Sequence, residues 1–204
     1  MQIDLMNLTL KNLYPYYPNI LEFGVATGES LKYITENIST DKFKIYGFDS
    51  FEGLPEDWIG TECKKGCFST NGIIPNINGC KFYKGWFEDT IDQYIKSEST
   101  KPISLLHIDC DLYSSTKTIL NKLLPYIGTN TIILFDEWYY NCDYRCNDGE
   151  QKAFFEWIVQ NNISFEFMFN ELNSYYYNSD RINNKFAMNQ RAIQIVYNKN
   201  FQLI

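Results

Sequence analysis

Apolar runs of strand length alternate along the chain with stretches of helical period. Asn19–Val25 (NILEFGV), Lys44–Asp49 (KIYGFD), residues 80–85 (CKFYKG), Ile103–Asp109 (ISLLHID), Thr131–Phe135 (TIILF), Phe165–Phe169 and Ala192–Tyr197 (AIQIVY) predict seven strands. Between them, residues 3–14, Glu29–Ile38, residues 88–97, the stretch holding Leu120, Leu123 and Leu124, and Gly149–Val159 predict helices. Strands alternating with helices predict an α/β fold with a mostly parallel sheet. ISLLHID is almost wholly apolar, so it is expected at the centre of a sheet covered on both faces.

No repeat, low-complexity linker or domain boundary interrupts the pattern, and 204 residues suit one domain. Residues 50–80 hold Gly, Pro, Asn and Cys with little periodicity and are expected to form a lid or acceptor loop. The Tyr- and Asn-rich residues 171–190 read in the same way. The net charge of −7, without a Lys/Arg run, argues against nucleic acid as a partner. The start, MQIDLMNLTLKNLYPYYP, carries Asp4 and no continuous apolar stretch. Neither a signal peptide nor a membrane span is predicted there, and a cytoplasmic location is expected. Cys63 and Cys67, and Cys142 and Cys146, form two C-x₃-C pairs. Zinc sites more often use C-x₂-C, so reduced, independent cysteines are the expectation.

Leu21–Ser30 (LEFGVATGES) joins a strand to a helix. Gly24 permits the tight turn, and Gly28 permits close approach of ligand or helix to backbone. The spacing is G-x-x-x-G, with Ala26 where a dinucleotide fingerprint places its middle glycine. Glu22 precedes the turn, and an acid there suits a ligand with a positive amino-acid portion better than a pyrophosphate. Asp49 closes the next strand 25 residues after Gly24, where a carboxylate can accept ribose hydroxyls. The pair predicts an adenosine-bearing cofactor. Further on, Asp109 ends one strand, and Asp136 and Glu137 end the next. If those strands are neighbours, three hard oxygen donors converge beside the cofactor and suit Mg²⁺ or another divalent cation. Asp111 is close enough in sequence to replace a ligand or act as a base. The chain's one histidine, His107, sits mid-strand among apolar residues and is expected to be a satisfied core residue.

These segments together resemble the class I S-adenosylmethionine (SAM)-dependent methyltransferases, and more narrowly the macrocin O-methyltransferase (TylF-like) family of sugar O-methyltransferases. The resemblance is carried by LEFGVATGES, YGFDSFEGLPEDW (46–58), KGWFEDT (84–90), HIDCDLYSSTKTIL (107–120), ILFDEW (133–138) and GEQKAF (149–154). It implies a Rossmann-like seven-stranded fold and a SAM site. Glu22, Gly24 and Ala26 would line the methionine end, with Ser30 close by. Asp49 would hold the ribose, Ser50 and Phe51 would lie beside the adenosine, and Gly85, Trp86 and Phe87 would flank the adenine. Asp109, Asp136 and Glu137 would hold the metal, and the 27-residue separation of Asp109 and Asp136 fits the family's spacing. The family's acidic pair is often Asp-Asp, whereas here the second member is Glu137.

Catechol-type relatives place a lysine base three residues after the first metal acid, and here that position is Leu112. Asp111, Glu88 and Glu150 are therefore the candidate bases. The implied reaction is methylation of a hydroxyl on a small-molecule or glycan acceptor, with homo-oligomerisation left open. A phenolic acceptor, or SAM binding without turnover, are the competing readings.

Overall fold

The computed structural model describes residues 5–98, 101–138, 149–169 and 190–202. Seven strands form one sheet: β1 (Asn19–Phe23), β2 (Lys44–Asp49), β3 (Cys80–Lys84), β4 (Ile103–Ile108), β5 (Ile132–Phe135), β6 (Ser164–Phe167) and β7 (Arg191–Tyr197). Their order is β3-β2-β1-β4-β5-β7-β6. The first five run parallel to one another, and β7 runs antiparallel to both β5 and β6. The helices are α1 (Leu5–Lys11), α2 (Glu29–Asn37), α3 (Phe87–Ser97), α4 (Tyr113–Leu123) and α5 (Glu150–Asn161).

Every residue of β1, β4 and β5 is buried, as expected of largely apolar strands covered on both faces. Alternation along each strand separates two cores. Ile20, Ile45, Leu105, Ile132 and Leu134 pack with Met6 and Leu10 of α1 and Leu31 and Ile34 of α2. Leu21, Phe23, Phe48, Leu106 and Ile133 pack on the opposite face with Ile91 of α3, Ile119 and Leu120 of α4 and Phe154 of α5. Each such fully buried side chain contributes about 1.5–3 kcal/mol.

Most departures from the sequence pattern lie at element ends. α1 stops at Lys11, four residues before Pro15, so the helical stretch is shorter than its amphipathic pattern. β1 stops at Phe23 because Gly24 takes φ +89 and leaves the extended region. The sixth strand begins one residue earlier than its apolar run and ends at Phe167, and Phe169 takes φ +55. Residues 50–79 contain no helix or strand. Backbone bonds such as Leu54 N to Cys67 O (2.9 Å) and Gly66 N to Leu54 O (2.9 Å) tie that segment to itself. Most of residues 171–190, and Cys142 and Cys146, lie outside the described residues. Among the described residues no helix is long and apolar enough to cross a membrane.

Candidate active site

The sheet places its functional groups along one edge. Beyond the carboxyl ends of the strands, the hydrogen-bond ladder continues into the loops. Gly24 N donates to Phe48 O (3.0 Å), Asp109 N to Phe23 O (2.9 Å), and Asp136 N to Ile108 O (3.0 Å). Gly85 N donates to Asp49 O (2.9 Å). The residues that follow β1, β3, β4 and β5 are thus fixed by main-chain bonds before any side chain acts, at the edge where open α/β sheets bind ligands.

A cavity of about 1020 Å³ opens there. One part is walled by the glycine turn (Gly24, Val25, Ala26) with Ser30, Asp49 and Ser50. Trp86, Phe87 and Glu88 line it at the start of α3, and Asp109, Asp111, Asp136 and Glu137 supply its acidic part. Leu54, Pro55, Trp58, Cys63 and Phe68 of the irregular 50–79 segment also face it. Of the SAM residues implied by the resemblance, Gly24, Ala26, Ser30, Asp49, Ser50, Trp86 and Phe87 therefore reach the cavity, and Glu22, Phe51 and Gly85 stand behind it.

Asp49 stitches the turn to β2. Its Oδ2 accepts from Val25 N (2.7 Å) and Ala26 N (2.8 Å), and its Oδ1 accepts from Phe51 N (2.6 Å). Phe51 takes φ +59, which turns its ring away into the core beside Phe82. Gly85, at φ +140, has Thr90 rather than the cavity where a side chain would point. The turn is packed against β4 so closely that a Cβ on Gly24 would stand 1.7 Å from the Asp109 carbonyl oxygen. Gly28 caps α2 at φ +82, and Glu29 in the first turn suits the helix dipole.

Glu22 is fully buried beneath the turn. Its Oε1 accepts from Ser30 Oγ (2.9 Å), and its Oε2 pairs with His107 Nδ1 (2.8 Å). β1 and β4 are neighbours in a register that sets Glu22 opposite His107, so the pair is dictated by the sheet itself. Burial alone would lower the His107 pKa, but the Glu22 bond outweighs it and raises the value to about 9. His107 is thus only half satisfied, because its Nε2 is buried without a hydrogen-bond partner.

The acids crowd one another. Burial, with Asp136 next, pushes the Asp109 carboxyl well above the usual range. The same two causes bring Asp111 to about 7. Burial and Glu150 push Glu137 up, and Glu150 rises through burial and then Asp136. Glu137 Oε2 and Glu150 Oε1 are buried without partners, while Glu150 Oε2 accepts from Glu137 N (3.1 Å). Gln190 donates to Asp136 Oδ1. Asp111 takes φ +64 in a tight turn closed by Leu112 N to Cys110 O (2.6 Å). Of the candidate bases, Asp111 and Glu88 reach the cavity. Glu88 is held by Thr118 (3.1 Å). Glu150, 0 % exposed, sits behind Glu137 rather than on the cavity wall, because α5 begins at Glu150 and turns it inward.

Cys63 and Cys67 hydrogen-bond to each other, which pushes the Cys63 thiol up, and both thiols are free. Among the described residues, the one grouping of His, Cys, Asp and Glu atoms close enough to hold a cation is His107, Asp109 and Asp136. The sequence reading missed His107 as a member of this group. The available signal was its position two residues before Asp109 on the same strand, which alternation turns to the same face.

The family model described as a methyltransferase domain matches residues 21–138. A curated relative from Streptomyces olivaceus is named as an 8-demethyl-8-(2,3-dimethoxy-alpha-L-rhamnosyl)-tetracenomycin-C 4'-O-methyltransferase. It is 23% identical over 141 residues, covering 59% of this chain and 52% of the relative. The chain thus spans about half the length of that relative. Among solved structures, CalS11, a calicheamicin methyltransferase, matches with a TM-score of 0.67 at 18% identity, over 93% of this chain and 76% of its own. A second structure of it, described as a TDP-rhamnose 3'-O-methyltransferase, matches with a TM-score of 0.59 at 18% identity, over 93% and 77%. An O-methyltransferase from Bacillus cereus, in complex with SAH, matches with a TM-score of 0.58 at 15% identity, over 94% and 79%. With the sheet order, the glycine turn and the strand-end acids on the same edge, this chain belongs to the methyltransferase-domain family and has its class I Rossmann-like fold.

Proposed function

We propose that the protein transfers the methyl group of SAM to a hydroxyl of a sugar or glycoside, with a divalent cation held by Asp109, Asp136 and Glu137. One observation carries this reading: a single cavity is walled by the glycine turn with Asp49 and by Asp109, Asp111, Asp136 and Glu137. The names of the curated relative and of CalS11, both acting on rhamnose units, support a sugar acceptor. The Bacillus cereus structure, holding SAH, supports SAM as donor.

The residues fit a divalent cation. The donors are hard oxygens, burial and then mutual repulsion push their carboxyls upward, and Glu137 Oε2 is buried without a partner. When bound, SAM supplies an electrophilic methyl group and the cation supplies positive charge for the acceptor oxygen. The chain's own residues do the rest. The glycine turn lines the methionine end of the donor, Asp49 holds its ribose, and Trp86 and Phe87 give the adenine an aromatic wall. Asp111 takes the proton of the acceptor hydroxyl, because it lines the cavity and burial holds its carboxyl above the usual range. The segment 50–79 covers the acceptor and excludes water. Holding donor and acceptor in line contributes much of the acceleration. Leu112 stands at the place of the catechol-type lysine, and the lack of that base disfavours a phenolic acceptor.

Calorimetric titration with SAM and with NAD, each with and without Mg²⁺, tests the cofactor half. SAM is expected to bind and NAD not to bind. Binding of NAD alone would overturn the reading.

A further inference from the structure

We infer that His107 is itself a cation ligand, through Nε2, so that the site is a mixed nitrogen–carboxylate centre built from His107, Asp109 and Asp136. This rests on the metal reading proposed above and goes beyond it in the donor set and in the class of cation.

Four observations carry it. A ring nitrogen of His107 and one carboxylate oxygen each of Asp109 and Asp136 lie within 4.8 Å of one another. The ring is 1 % exposed, and its Nε2 has no hydrogen-bond partner. An imidazole nitrogen buried at that depth without a partner is costly unless something binds it. The other nitrogen is already committed, since Nδ1 lies 2.8 Å from Glu22 Oε2. A carboxylate on one ring nitrogen and a cation on the other is the usual arrangement of metal-binding histidines, in which the carboxylate fixes the tautomer and the ring orientation.

The sheet makes this arrangement rigid. Glu22 is set opposite His107 by the β1–β4 register, and Ser30 Oγ holds the other Glu22 oxygen. Asp109 follows His107 two residues later and is tied back to Phe23 O. Glu22 therefore acts as a positioning residue, aiming the ring at the cation while standing behind the glycine turn. A cation entering the site displaces the Nε2 proton to solvent, and the Nδ1 proton stays with Glu22. An imidazole donor favours Mn²⁺, Fe²⁺, Co²⁺ or Zn²⁺ over Mg²⁺, which prefers an all-oxygen shell.

The chain has a single histidine, so the test is free of ambiguity. Untagged protein is prepared twice, once with natural histidine and once with ¹⁵N-labelled histidine, and loaded with Mn²⁺. Electron spin-echo envelope modulation then reads nitrogen bound to the ion, and Asp136→Asn, which is expected to release the ion, serves as the site control. Strong nitrogen modulation that changes with histidine labelling is the expected result. Bound Mn²⁺ whose spectrum ignores the label would overturn the inference and leave an all-carboxylate site standing. Folded protein that binds no Mn²⁺ would overturn both.

Discussion

Substituting Gly24 by alanine probes how the fold couples the two halves of the site. The new Cβ would stand 1.7 Å from the Asp109 carbonyl oxygen, half the 3.4 Å at which such contacts become ordinary, and 2.7 Å from the Asp109 carbonyl carbon. Both atoms are backbone, so relief requires β1 and β4 to part where Asp109 N meets Phe23 O. Three costs follow. A side chain at φ +89 costs about 1–2 kcal/mol, overpacking about 1–3, and the weakened ladder bond about 1. A total of about 3–6 kcal/mol would lower a urea midpoint by roughly 1–3 M at m near 2–3 kcal/mol/M. Gly28→Ala is the internal comparison. Its Cβ would meet Ile77 Cδ1 at 2.8 Å and Pro75 Cγ at 2.9 Å, which are side-chain atoms rather than backbone. The cost there is about 1–2 kcal/mol. Urea unfolding measures both variants, and titration with SAM and Mn²⁺ should show Gly24→Ala weakening both ligands together. A Gly24→Ala protein within about 0.5 kcal/mol of wild type, or no worse than Gly28→Ala, would refute the reasoning.

Further predictions concern single carboxylates. Asp49→Ala strands the amides of Val25, Ala26 and Phe51, so it should cost about 3 kcal/mol in chemical unfolding and weaken SAM more than tenfold by calorimetry. Asp111→Asn should lower kcat by about 10²–10⁴-fold, with SAM affinity unchanged in a binding titration. Glu98 accepts from Tyr46 (2.8 Å), Tyr83 (3.1 Å) and Lys81 (2.5 Å), and the Lys81 bond holds its carboxyl below the usual range. A depressed folded-state pKa stabilises above the ordinary carboxylate range, and that stabilisation is lost as pH falls through the depressed value. The stability gap between wild type and Glu98→Gln, read by urea unfolding, should therefore be present at pH 7 and close in acid.

The parts of the fold written in short-range pattern were legible. β1, β4 and β5 announce themselves as largely apolar runs, and Asp49, Asp109 and Asp136 as acids at strand ends. What was not legible depends on side-chain direction and on partners distant in sequence. Phe51 follows Asp49, but a left-handed backbone sends its ring into the core and leaves only its amide at the site. Glu150 reads as a candidate base, yet the turn into α5 buries it behind Glu137. His107 reads as a core histidine because its strand neighbours are apolar. The register that brings Glu22 to its Nδ1, and the face that sets its ring beside Asp109 and Asp136, exist only once β1, β4 and β5 pair. The antiparallel β7 next to β5 is likewise a property of topology, since an apolar run does not state its direction.

The most direct test of the proposed reaction is a methyl-transfer assay with SAM labelled on its methyl group. Metal-depleted protein is incubated with a panel of nucleotide sugars, glycosides and phenols, with and without an added divalent cation. The account predicts label in an O-methyl group on a sugar, appearing only when the cation is restored. Transfer that proceeds equally in excess chelator, or that reaches phenols and no sugar, would contradict it.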